Sequence, residues 1–166
     1  MAWDVARRAI DFAFNHTLQM AKLLGSSPQA QLGYFGGEPL LEWSLLKRSA
    51  EYAIKSAARQ TITLKKTVTT NMTLLDEEKV TWLQAHDFYI GLFLDGNAAM
   101  HDTLRRFPGG TGSHAAASKA LQFFSGPQPQ GEVIVVVDPR NVAHLAESIE
   151  WLLAGDIRNI ALNPNF

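Results

Sequence analysis

The chain contains no cysteine. That excludes disulfides, thiolate nucleophiles and any metal or iron–sulfur centre held by thiolates of this chain. Excess charge of either sign is also missing, since 15 Lys and Arg stand against 16 Asp and Glu. The basic residues do not cluster; Lys65-Lys66 and Arg105-Arg106 are isolated pairs. Without a basic stripe there is no electrostatic case for a nucleic-acid partner or an anionic membrane surface. No stretch reaches the roughly 18 to 20 uninterrupted apolar residues of a membrane helix. No basic segment followed by an apolar run and a small-residue cleavage site opens the chain. The expected location is cytoplasmic, with no membrane partner.

What the chain has is alternation. Its 166 residues, 46% of them hydrophobic, suit one domain with a sizeable core. Helix-spaced apolar residues run from Trp3 to Leu24 and stop at Gly25-Ser26-Ser27-Pro28. A short strand is expected over Gln31 to Phe35, a helix over Leu40 to Arg59, and a β-branched strand over Thr61 to Thr70. Asp76 is placed to cap a helix over Glu77 to His86. A strand over Phe88 to Leu94 follows, then helices around Asn97 to Arg106 and Ser113 to Phe124, with a loop at Gly126-Pro127-Gln128-Pro129. Val133 to Val137 reads as a buried strand, Asn141 as the cap of a helix reaching Leu153, and Ile157 to Leu162 as a last strand. Apolar strands separated by helices indicate a parallel sheet covered by helices.

In such sheets ligands bind beyond the carboxyl ends of the strands. Those ends carry Gly36-Gly37-Glu38-Pro39, Thr70-Asn71, Asp95-Gly96, Asp138-Pro139 and Asn163-Pro164. Each pair alone is an ordinary turn; five together suggest a polar small-molecule site. His101-Asp102 reads as a structural, buried pair. His16, His86, His114 and His144 show no metal-ligand spacing, so no metal residue is expected. Gly109 to Ser113 could open a helix as a phosphate loop, but the lysine of that motif is missing.

The blocks Gly36-Gly37-Glu38-Pro39-Leu40-Leu41, Thr70-Asn71, Leu94-Asp95-Gly96, His101-Asp102, Arg105 and Gly109-Gly110-Thr111-Gly112-Ser113 occur in the order and approximate spacing of radical SAM enzymes. The chain most resembles the branch that matures sulfatases and ribosomal peptides, over nearly its whole length. The resemblance implies a partial (β/α)6 TIM-like barrel lacking its first strand, with about five parallel strands and outer helices, and a single core-domain fragment over residues 1–166. It also implies S-adenosylmethionine and a [4Fe-4S] cluster as cofactors, and a peptide or protein substrate in the parent enzyme. By the same resemblance Glu38 accepts the α-ammonium of the cofactor, and Gly36 and Gly37 let the backbone approach it. Arg105 holds its carboxylate, Asn71 and the last strand from Ile160 to Asn163 lie near ribose and adenine, and Asp95 is the candidate catalytic residue on the substrate side.

The chain departs from this pattern in three ways. The cluster motif C-x-x-x-C-x-x-C is absent, so no cluster can bind and no 5′-deoxyadenosyl radical is expected from this chain. Phe93 stands where the family usually has Ser, and Met72 where it has Gly. Two readings stay open: a fragment of a larger enzyme, cut before its first helix, or a degenerate domain that binds a peptide or ligand without catalysis. Either leaves the strand at Gln31 to Phe35 as an edge, suited to pairing with a second copy.

Overall fold

The computed structural model describes residues 1–124 and 130–165, so the expected loop at Gly126-Pro127-Gln128-Pro129 lies outside the described residues. Within them the strands β1 (Gln29–Tyr34), β2 (Thr63–Thr70), β3 (Phe88–Phe93), β4 (Gly131–Val137) and β5 (Ile160–Pro164) form one sheet in chain order. β3 and β4 pair in parallel with Phe93 opposite Ile134, and β4 and β5 with Val136 opposite Asn163. The expected α/β class with parallel strands and intervening helices is the observed one. By contacts the chain divides into two compact units, Met1–Thr67 and Val68–Phe166.

The first unit is built on α1 (Trp3–Leu24) and α2 (Trp43–Arg59). Gly25 ends α1 at φ 62, a left-handed turn that returns its N–H to the Ala21 carbonyl. Ile10 and Phe14 of α1 pack with Ala53, Ala57 and Ile62, against Leu32 and Leu64 of the strands. Small residues on α2 leave room for the larger ones facing them. The Tyr34 hydroxyl closes β1 onto α2 through Ser49 at 2.7 Å, and burial raises the Tyr34 pKa. The expected helix from Leu40 begins instead as a 3-10 turn over Pro39–Glu42.

The second unit carries α3 (Glu77–Ala85), α4 (Ala98–Leu104), α5 (His114–Ser118) and α6 (Leu145–Ala154). Asp76 caps α3 as expected, accepting the Lys79 N–H at 2.9 Å. Phe88, Ile90 and Leu92 of β3 and Val133 and Val135 of β4 are buried with Leu83, Met100 and Leu152. Three boundaries differ from expectation. The helix from Ser113 ends at Ser118 and tightens into a 3-10 stretch over Lys119–Phe124. The last strand begins at Ile160, not Ile157, and runs to Pro164. Asn141 does not cap a helix with its side chain, which is committed to neighbouring backbone. Among the described residues no helix is long and apolar enough to cross a membrane.

Candidate functional site

In the second unit, the chain leaves β3 through Asp95-Gly96 and returns along α4 to Arg105. Gly96 has φ 90, and a Cβ there would fall 2.2 Å from the Cβ of Ser148, so only glycine fits. Asn97 then caps α4, accepting the Met100 N–H at 3.0 Å. This path sets Arg105 against a fully buried Asp95. Arg105 donates from Nε to Asp95 Oδ2 at 2.6 Å and from Nη2 to Oδ1 at 3.1 Å, while the Val136 N–H donates to Oδ1 at 2.8 Å. The guanidinium lies 4.7 Å from the centre of the Phe93 ring, a cation–π contact.

Behind this pair, the hydrogen bonds fix the tautomer of buried His101. The Asp95 N–H donates to His101 Nδ1 at 3.2 Å. Nδ1 is therefore the acceptor and Nε2 carries the proton, donated to Ser113 Oγ at 3.0 Å. Ser113 Oγ in turn donates to the Arg105 carbonyl at 3.0 Å, closing a ring back to the ion pair. Burial pushes the His101 pKa down to about 4; the nearby Asp95 charge opposes this and Arg105 adds to it. The ring is not a nucleophilic triad, because the serine donates to a carbonyl and the carboxylate does not touch the imidazole.

Asp102, next along α4, bonds elsewhere. Its Oδ1 accepts the His114 N–H at 2.9 Å. A carboxylate of the chain itself thus occupies the start of α5, which argues against a phosphate loop at Gly109 to Ser113. His101 is buried and Asp102 half-buried, and their side chains bond to different partners, not to one another as the expected pair.

At the end of β4, Asp138 accepts from Arg140 Nε at 2.7 Å, from Nη2 at 2.9 Å, from the Arg140 N–H at 3.0 Å and from Asn165 Nδ2 at 2.9 Å. Its pKa is lowered, first by the Arg140 side chain and then by the Arg140 N–H. Asn141, fully buried, accepts the Asp138 N–H at 2.8 Å and donates to the Val136 carbonyl at 3.0 Å. Asp95, Thr103, Arg105, Val136, Arg140 and Asn165 line a polar cleft of about 340 Å³.

The other site residues from the sequence fall as follows. Gly36 and Gly37 follow β1 in the first unit with φ 93 and 48 and open space where side chains would be. Glu38 Oε1 accepts the Leu40 N–H at 3.0 Å. In the second unit, Asn71 follows β2 and accepts from Thr73 N and Oγ1. Met72, beside it, is fully buried at φ 67, a left-handed backbone held without glycine. Ile160 opens β5 opposite Val133, about 10 Å along the strand from Asn163. Asn163, opposite Val136, is the β5 residue level with the cleft. Sequence reasoning missed Arg140 and Asn165, although an aspartate two residues before an arginine at a strand end signals such a pair.

The residues present do not fit an iron–sulfur cluster: the chain has no thiolate, and among the described residues no three His, Asp or Glu side chains gather to hold a metal.

No family model matches the chain. It is 24% identical over 163 residues to an uncharacterized protein of Methanocaldococcus jannaschii, a match covering 98% of this chain and 52% of that protein. It is 29% identical over 129 residues to the serine-type anaerobic sulfatase-maturating enzymes of Klebsiella aerogenes and Klebsiella pneumoniae, covering 78% of this chain and 32% and 33% of theirs. The chain therefore spans about half the length of the first relative and a third of the other two. Native anSMEcpe with bound AdoMet and Kp18Cys peptide superposes with TM-score 0.85 at 18% identity, over 100% of this chain and 43% of its own. Native anSMEcpe with bound AdoMet gives 0.84 at 18% identity, over 99% and 42%. Sequence likeness and shared fold together relate this chain to radical SAM enzymes of the sulfatase-maturating type.

Proposed function

We propose that the chain is the cofactor- and substrate-facing core of a radical SAM enzyme that modifies a peptide or protein. The observation that supports this most is the 29% identity to sulfatase-maturating enzymes over 129 residues, 78% of this chain. S-adenosylmethionine would supply the adenosyl group. Gly36 and Gly37 admit it by open backbone, and Glu38 takes its α-ammonium. In the second unit, the edge of Arg105 not bound to Asp95 takes a carboxylate, Asn71 and Asn163 face ribose and adenine, and Asp95 stands on the substrate side, orienting Arg105. The proposed setting is the cytoplasm, with β1, at one end of the strand order, pairing with a second copy.

Because thiolates are absent, the chain alone binds and does not generate a radical. After anaerobic reconstitution with iron and sulfide, it should hold no iron and release no 5′-deoxyadenosine. Product above a no-protein control would overturn this. Phe93 under Arg105 and left-handed Met72 favour a second reading, a degenerate module that binds a peptide or ligand without chemistry. Codons for C-x-x-x-C-x-x-C upstream of Met1 would select the enzyme core; their absence would select the module.

A further inference from the structure

Two arginines of the second unit pair with buried aspartates near the same cleft, but Arg105 is itself half-buried and Arg140 is exposed. Asp95 is fully buried and draws two of its three hydrogen bonds from Arg105. Asp138 is different. Its carboxylate would keep the Arg140 N–H and Asn165 Nδ2 if the Arg140 side chain were removed. The Arg140 side chain is nevertheless held by both Nε and Nη2 while remaining 69% exposed, against 6% for Asp138. A guanidinium has two edges that match a carboxylate. The Nε–Nη2 edge of Arg140 is spent on Asp138; the edge formed by Nη1 and the second Nη2 hydrogen has no partner among the described residues.

The buried carboxylate lies on the protein side and the exposed cation on the solvent side, at a cleft shared with Arg105 and Asn165. The chain holds a contrasting pair, Arg158 and Asp156, in which both partners are exposed, at 61% and 68%, away from this cleft. There, neither side is fixed by burial.

We propose that Arg140 is the recognition residue for a carboxylate carried by the peptide substrate, an acidic side chain or a C-terminus. This rests on the peptide-modifying reading above and narrows its substrate class. Asp138 pre-orders the fork, so less side-chain freedom is lost on binding.

The test uses two acetylated, amidated tripeptides, Gly-Glu-Gly and Gly-Gln-Gly, titrated into the ¹⁵N-labelled chain with arginine Nε–H resonances observed. The glutamate peptide should shift the Arg140 resonance saturably and bind at least 5-fold tighter than the glutamine peptide. Arg140→Gln should remove that preference while its amide spectrum shows the fold intact, Arg140→Lys should retain only part of it, and Arg158→Gln should leave it unchanged. Equal affinity for the two peptides would overturn the proposal. So would an equal loss from Arg158→Gln, or inorganic phosphate binding Arg140 more tightly than the glutamate peptide. These titrations contain no S-adenosylmethionine, so a chain that discriminates the peptides but fails to bind the cofactor contradicts only the cofactor reading. The reverse result contradicts only this one.

Discussion

Gly112 is pressed against Asp102: a Cβ built on the glycine would lie 2.1 Å from the Asp102 carboxyl carbon. The carboxylate cannot swing away freely, because it holds the His114 N–H at the start of α5. Gly112→Ala should therefore destabilise the chain by about 1–3 kcal/mol in urea denaturation. Combined with Asp102→Ala, which removes the obstructing group, the alanine should cost distinctly less than alone. Strictly additive losses would show that the two positions do not meet.

The Asp95–Arg105 pair should be the most sensitive ion pair of the second unit. Asp95→Ala removes a fully buried carboxylate, leaves the half-buried Arg105 guanidinium without its partner and orphans the Val136 N–H. The expected loss is about 3–5 kcal/mol, with faster amide exchange at Val136. A loss below about 1 kcal/mol would mean that water already satisfies the pair.

His101 gives the chain a pH dependence of definite sign. Its folded-state pKa of about 4 lies below the ordinary 6.5, so between those values the unfolded chain binds the extra proton. Stability is then full above about pH 6.5 and falls as pH drops toward 4. From pH 7 to 5 this one group should cost about 2 kcal/mol, and His101→Gln should flatten that slope. An unchanged slope in the variant would assign the effect to another group. Nitrogen shifts of the imidazole should report the Nε2–H tautomer at pH 7.

Asn141 joins a backbone donor and a backbone acceptor that have turned toward it, Asp138 N–H and Val136 C=O. Asn141→Ala should leave both to find other partners, at about 2–4 kcal/mol. Asp138 itself titrates below the usual carboxylate range. Its contribution is present above about pH 4 and is lost as acid protonates it; Asp138→Asn should remove that acid-side dependence. A variant that unfolds in acid like the parent chain would contradict the assignment.

Much of the fold is legible because local signals and tertiary structure agree. α1 is bounded by Gly25, α3 by Asp76, and β4 is an apolar run with nowhere to go but the sheet. Boundaries fail where the backbone does something that side-chain pattern does not encode. Leu40 looks helical but sits in a 3-10 turn after Pro39, and Ile157 looks like a strand but precedes the residue that first pairs with β4. In the site, Asp95 and Arg105 are legible as polar residues near a strand end, but their bidentate pairing is not, because α4 separates them in sequence. Asn141 misleads for a related reason: an asparagine before a helix suggests a cap, yet the Asp138 N–H takes the side-chain oxygen that a cap would use.

The most direct test of the account is a calorimetric titration of the chain with S-adenosylmethionine, beside Glu38→Gln. Saturable binding is expected in the sub-millimolar to millimolar range, around -4 to -5 kcal/mol, because cluster chelation is missing. Glu38→Gln should weaken it at least 5-fold. No saturable heat up to several millimolar, or equal binding by the variant, would contradict the claim that this chain is the cofactor-facing core of a radical SAM enzyme.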